Sequence, residues 1–131
     1  MNQKLVEIIK KSTFEVKNGI FVYAKVKSFP DVKNHFLVSQ DKDEITVVTL
    51  EKNLKDLDLI ERNKESYKLI ALNVSVPFYA IGFLATVSNE IAKKKMSVLI
   101  VSTYSKDYIL VKKEKLQDAL DALINLGFKE K

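Results

Sequence analysis

The spacing of apolar and polar residues changes several times along the chain, and each change marks an expected element. From Gly19, the segment GIFVYAKVKSF alternates Phe21, Tyr23 and Lys25 with Val22, Ala24 and Val26. A period of two in strand-favouring residues predicts a strand over 20–27. Pro30 and Asp31 interrupt it, and HFLVSQ and EITVVTL then form two β-favouring runs around Asp41-Lys42-Asp43, which predicts a hairpin. In EKNLKDLDLIE, Leu54, Leu57 and Ile60 recur every three residues among charges, and Glu51 stands where a helix dipole favours a carboxylate. That pattern predicts a short amphipathic helix. The stretch from Leu5 to Val16 assigns itself to no element.

The second half has stronger periods. Tyr67 to Val76 reads as a strand, and its Leu69-Ile70-Ala71-Leu72 run implies burial on both faces. Pro77 ends it and suits a helix start. A helix from there would place Ile81, Leu84, Ala85, Ser88, Ile91 and Ala92 on one stripe. Met96–Tyr104 and Tyr108–Lys112 form a second expected hairpin around Ser105-Lys106-Asp107. Leu116, Ala119, Leu120, Leu123 and Ile124 then recur at helical spacing, with Gly127 as the stop. The second half thus reads β-α-β-β-α, and the first half ends on the same strand, strand, helix series. We therefore expect an α+β protein of two related units, 1–65 and 66–131, sharing one continuous fold. Units of this size bury too little surface to be secure alone.

Composition narrows the functional classes. Hydrophobic residues make up 47% and charged residues 30% of 131 residues, an ordinary globular balance. The apolar runs are only a few residues long, against the roughly 20 needed to span a membrane, and MNQKLVEIIKKS lacks the apolar core of a secretory signal. There is no cysteine, hence no disulfide framework and no thiolate chemistry. These features point to a cytoplasmic address. The net charge of +5 comes almost wholly from lysine, because Arg62 is the only arginine. Bidentate phosphate and base recognition favours guanidinium, so nucleic acid is disfavoured as a partner. With no G-x-S-x-G, P-loop or dinucleotide motif and three glycines in all, enzymatic activity is not expected, and neither is a cofactor.

Residues STYSKDYILV, Ser102 to Val111, followed by KKEKLQDALDAL and preceded by PFYAIGFLATVSNEIAKKKMSV, resemble an ACT domain. Together with HFLVSQDKDEITVVTL in the first half, the arrangement is similar to tandem ACT proteins, a group that includes the CASTOR arginine sensors and small prokaryotic relatives. The resemblance implies two ferredoxin-like ACT units of βαββα type, with antiparallel sheets and helices packed on one face. In that picture 1–65 is a degenerate unit and 66–131 the better-formed one. The implied role is a regulatory or sensor module that binds a free amino acid or similar small zwitterion. A homodimer and a partner enzyme are the implied protein contacts. An RNA-binding module, or an interaction module whose ligand site has degenerated, is the alternative.

Candidate ligand contacts gather in two places. Where the helix after Pro77 begins, unpaired first-turn amides and the positive dipole end suit a carboxylate. Val76, Pro77, Phe78, Ile81, Gly82 and Phe83 are the residues there. Gly82 either lets a ligand approach closely or relieves crowding between helix and sheet. The second place is the hairpin end, with Ser102, Thr103, Tyr104, Ser105 and Asp107. Asp107 is suited to accept from an ammonium group, and it is equally suited to turn chemistry. Tyr104 and Tyr108 either pack on a ligand or act as cross-strand partners. His35, the only histidine, reads as a surface or strand-edge residue, and no metal site is expected because the Asp41, Asp43, Glu44 group lacks the spacing of a calcium loop. Lys93-Lys94-Lys95 reads as a helix end complementing the dipole.

Overall fold

The structure is a computed structural model that describes residues 2–74 and 81–131. The chain divides into two compact units, a major one of Met1–Lys17 with Lys68–Lys131 and a minor one of Asn18–Tyr67. This division departs from the sequential boundary at residue 65, because the first 17 residues pack with the second half.

The reason lies in the N-terminal stretch whose pattern assigns no element. It forms helix α1, Gln3–Lys10, and strand β1, Thr13–Val16. The Asn2 side chain caps α1 by accepting from the Leu5 amide at 2.8 Å, satisfying one of its orphan donors. Leu5, Ile8 and Ile9 are then buried together at three- and four-residue spacing. Ser12, itself buried, donates its hydroxyl to the Ile8 carbonyl at 2.7 Å and turns the chain into β1.

In the minor unit, strand β2 is Phe21–Val26, β3 is Leu37–Gln40 and β4 is Ile45–Leu50. β3 and β4 form the expected antiparallel hairpin, and β4 pairs with β2 from Phe21↔Leu50 to Val26↔Ile45. The helix expected in EKNLKDLDLIE is not an α-helix: Glu51–Asp56 is a 3-10 helix, and Leu59–Arg62 is strand β5, antiparallel to β2. Three-residue spacing is the period of the tighter helix, which rarely extends far. Ala24, Val26 and Val47 form a small buried core with Val38, Ile45, Leu54 and Leu57 packed against it.

The remaining elements belong to the major unit, save Tyr67 at the start of β6: β6 is Tyr67–Asn73, α2 is Phe83–Ala92, β7 is Leu99–Ser102, β8 is Asp107–Lys112, α3 is Leu116–Leu126 and β9 is Lys129–Glu130. β6 is antiparallel to β1, with Phe14 opposite Leu72; β7 and β8 make the expected hairpin, and β8 also pairs with β6. The architecture is α+β, as expected, with a short parallel pairing of β1 and β9 making its sheet mixed. Helix α2 begins at Phe83 and not next to Pro77, which itself lies outside the described residues. Its buried stripe is accordingly Phe83, Val87 and Ile91, while Ile81, Ala85 and Ala92 are exposed. Helix α3 stops at Gly127, whose φ of +117° is the left-handed conformation that glycine tolerates best, although Ile124 on the expected apolar stripe is exposed. The core of this unit runs from Leu5, Ile9 and Phe14 through Ile70 and Leu72 to Val87, Ile91, Ile109, Val111 and Leu123. Fully burying side chains of this kind stabilises the fold by roughly 1.5–3 kcal/mol each before entropy is counted.

Candidate functional site

Of the expected ligand contacts, Val76, Pro77 and Phe78 lie outside the described residues. The other eight belong to the major unit, in two groups.

The first group opens α2. Gly82 is the N-cap residue at φ +83°, with no side-chain cap among the described residues, and its carbonyl accepts from the Thr86 amide at 2.9 Å. A Cβ at Gly82 would meet no described atom within 4 Å, so crowding does not explain the glycine; its backbone conformation does. Phe83 turns inward, buried and edge-to-face with Phe128 at 5.8 Å between ring centroids. It anchors the helix and offers no surface to a ligand. Ile81 is the opposite case, 90% exposed.

The second group is the end of the β7–β8 hairpin. Ser102 and Asp107 face each other in register, and the Ser102 hydroxyl donates to Asp107 Oδ1 at 2.6 Å. Between them the Thr103 amide donates to the Lys106 carbonyl at 2.8 Å, and the Thr103 hydroxyl reaches the same carbonyl at 3.1 Å. Asp107 is buried and already holds a hydroxyl partner, so its turn role is realised. One carboxylate oxygen retains acceptor capacity, since an ionised carboxylate offers about four lone-pair directions. Tyr104 projects from the turn, 89% exposed, and Ser105 beside it is exposed.

Other candidates resolve locally. The half-buried His35 ring places Nδ1 2.9 Å from the hydroxyl of buried Thr49, and the Asn53 amide donates to that hydroxyl at 3.1 Å. Asp41 accepts from the Asp43 and Glu44 amides at 2.8 and 3.0 Å, which is turn chemistry. Among the described residues no group of three or more His, Asp or Glu is placed to hold a metal, and no helix is long and apolar enough to cross a membrane. The chain's lysine cluster follows α2 as expected, with Lys93 as its C-cap and Lys95 at φ +57°. Sequence reasoning singles out no ligand contact in the minor unit. There the structure opens a cleft lined chiefly by Tyr23, Lys25, Glu44, Thr46, Glu61 and Arg62, for which the polar Lys25 in a strand alternation is the available signal.

A family model described as the ACT domain matches residues 64–125. No curated protein sequence matches the chain. Among solved structures, a protein from Vibrio cholerae described as of unknown function and a possible transport protein superposes with a TM-score of 0.81 at 24% identity, covering 95% of this chain and 97% of that one. A putative C-terminal regulatory domain of aspartate kinase from Porphyromonas gingivalis has a TM-score of 0.60 at 22% identity, covering 90% and 98%. Aspartokinase III of Escherichia coli, solved with aspartate and ADP, has a TM-score of 0.56 at 10% identity, and 88% of this chain covers 32% of it. At these identities the likeness is one of fold, including the fold of aspartate kinase regulatory domains. Both groups of expected contacts among the described residues fall within residues 64–125, the segment that the ACT-domain model matches.

Proposed function

We propose that the chain is a non-catalytic regulatory module whose major unit binds a free amino acid, or a similar zwitterion, between the start of α2 and the β7–β8 turn. The observation that carries this reading is the exposed start of α2, where Gly82 in a left-handed conformation leaves first-turn amides without a side-chain cap among the described residues. A carboxylate placed there gains roughly 0.3–2 kcal/mol from the dipole, so other groups must contribute.

Topology supports a shared location. A strand–helix–strand crossover favours parallel strands, so β6 and β7 run the same way. β7 is antiparallel to β8, and β8 pairs with β6. The end of β6, the start of α2 and the start of β8 then gather at one end of the sheet. Ser102 and Asp107 supply the acceptor for an ammonium group, at the cost of sharing Asp107 with the hydroxyl it already binds. The likeness in fold to a putative regulatory domain of aspartate kinase supports this ligand class. In this reading a second copy closes the open side, which makes a homodimer the working form, and a partner enzyme receives the signal.

Thermal melting against all twenty amino acids at millimolar concentration tests it. Binding to the native state raises the melting temperature by mass action, about 2.7 kcal/mol of stabilisation at 100 times Kd. A melting curve unmoved by the whole panel rejects the proposal. A purely protein-docking role has one observation in its favour, the near-complete exposure of Ile81 and Tyr104, at 90% and 89%. It predicts no ligand shift and a sedimenting complex with a host protein that the double variant Ile81→Ser, Tyr104→Ser fails to form.

A further inference from the structure

We infer that the minor unit carries a second, independent zwitterion site, on the polar face of its sheet. This inference rests on the reading that the chain binds amino acids, and it adds a site that reading does not include.

The cleft holds about 270 Å³, several times the roughly 30 Å³ that one water occupies. Its chemistry follows from strand register. Lys25, in the middle of β2, has Thr46 of β4 on one side and Glu61 of β5 on the other. Adjacent strands are about 4.8 Å apart, so these three residues make a transverse row roughly 10 Å wide. Glu44 stands two residues before Thr46, on the same face by alternation. Two residues back along β2, Tyr23 lies on that face too, and its carbonyl accepts from the Asn63 amide at 2.9 Å. The opposite face carries Ala24, Val26 and Val47 in the small core, and on the cleft's own face Phe21 and Val48 are buried beyond Tyr23.

The charges on this face are unspent. None of the ion pairs among the described residues involves Lys25, Glu44 or Glu61, although Lys25 and Glu61 are register neighbours. The guanidinium of Arg62, next to Glu61, is committed elsewhere, to Glu51 at 2.8 Å, the Ser66 hydroxyl at 3.1 Å and the Asn63 carbonyl at 3.0 Å. The cleft therefore presents the half-buried Lys25 between two exposed glutamates, with a hydroxyl at Thr46 and an aromatic wall at Tyr23. That wall is fixed by an edge-to-face contact with Tyr67 at 5.7 Å. Burial, and then the neighbouring Tyr67, raise the Tyr23 pKa above its ordinary value, so the phenol stays neutral beside a ligand.

A zwitterion matches this array in sign at both ends, its carboxylate toward Lys25 and its ammonium toward one glutamate. Arg62 also lines the cleft, but its charge is matched by Glu51, so the second glutamate leaves one negative charge in excess. A ligand with an additional cationic group satisfies it, so the expected order of affinity is basic over neutral over acidic amino acids. Because the site is open, the attraction is screened and falls as salt rises.

The decisive experiment is an amide NMR titration of the full chain with lysine, serine and glutamate separately, read at residues 23–26, 44–46 and 61–63 and at residues 82–86 and 102–107. Shifts in the first set, strongest with lysine, are expected. The variants Lys25→Met and Glu61→Gln should lower that affinity about 3- to 10-fold each, the loss of one charge-assisted bond, while leaving the melting temperature of the free protein in place. Shifts confined to the second set overturn the minor-unit site and leave the proposed function standing. Shifts confined to the first set do the reverse. Silence in both sets rejects both, and an affinity order that favours glutamate overturns the reasoning from charge.

Discussion

The two units solve the same problem with unequal resources. In the major unit a sheet is covered by helices, and Ile9, Phe14, Ile70, Leu72, Val87, Ile91, Ile109 and Leu123 are shut off from solvent. Among the described residues the minor unit has no α-helix, only short 3-10 turns, and its apolar cluster is built on Ala24, Val26 and Val47. On the sheet face that carries Lys25, Phe21 and Val48 are buried toward one end, while Lys25 is half-buried and Glu61 exposed toward the other. Where no α-helix covers the strands, charged side chains can stand on part of a sheet face that a helix would otherwise bury.

The largest effect that would sharpen this contrast is at Phe14, fully buried and opposite Leu72. Phe14→Ala should destabilise the fold by about 3–5 kcal/mol, measured by urea unfolding, because a buried aromatic leaves both a lost transfer term and a cavity. A cost under about 1 kcal/mol would mean the major core is as shallow as the minor one. Next comes Gly19, at φ +93°, where an added Cβ would lie 2.5 Å from Leu50 Cδ2. Gly19→Ala should cost about 1–3 kcal/mol, from strain plus displacement of Leu50. In native-state hydrogen exchange it should loosen amides of β2 and β4 before those of β6 and β8; uniform loosening would show that the units open as one. The smallest effect concerns Glu90, whose carboxyl is held below the ordinary value near 4.5, first by the Asn125 amide and then by Lys93. A depressed folded-state pKa contributes stability that is complete above the unfolded value and is lost as pH falls through the folded one. Glu90→Gln should therefore flatten the decline in melting temperature below that value slightly, and a steeper decline would contradict the assignment.

Much of this architecture is legible from residue spacing alone. Alternation in FVYAKV and the runs on either side of two polar turns locate β2 and both hairpins, because a half-buried strand must alternate. Gly127 marks the end of α3, since the left-handed cap there suits few other residues. The misreadings have physical causes. Leu54, Leu57 and Ile60 look helical at a spacing that serves a 3-10 turn and then a strand. Pro77 is compatible with a helix start but does not compel one, so the stripe expected around Ile81 gives way to one anchored on buried Phe83. At the candidate site, Ser102 and Asp107 are legible as a pair of oxygens near a turn, but their mutual bond is not, because it depends on the register of the hairpin. The Lys25 and Glu61 neighbourhood is beyond sequence reach for a related reason: it requires β5, which the three-residue spacing conceals.

The discontinuity of the major unit constrains how the chain is made. Lys129 pairs with Thr13 across β9 and β1, so a strand made long after β1 completes the sheet that β1 belongs to. The 50-odd residues between are translated as a block, too small to be secure alone. During synthesis α1 and β1 must wait, with Ile9 and Phe14 unburied, until β6, α2 and α3 have been made. A nascent chain stalled before α3 is therefore expected to be protease-sensitive around α1 and β1, long after that segment has emerged.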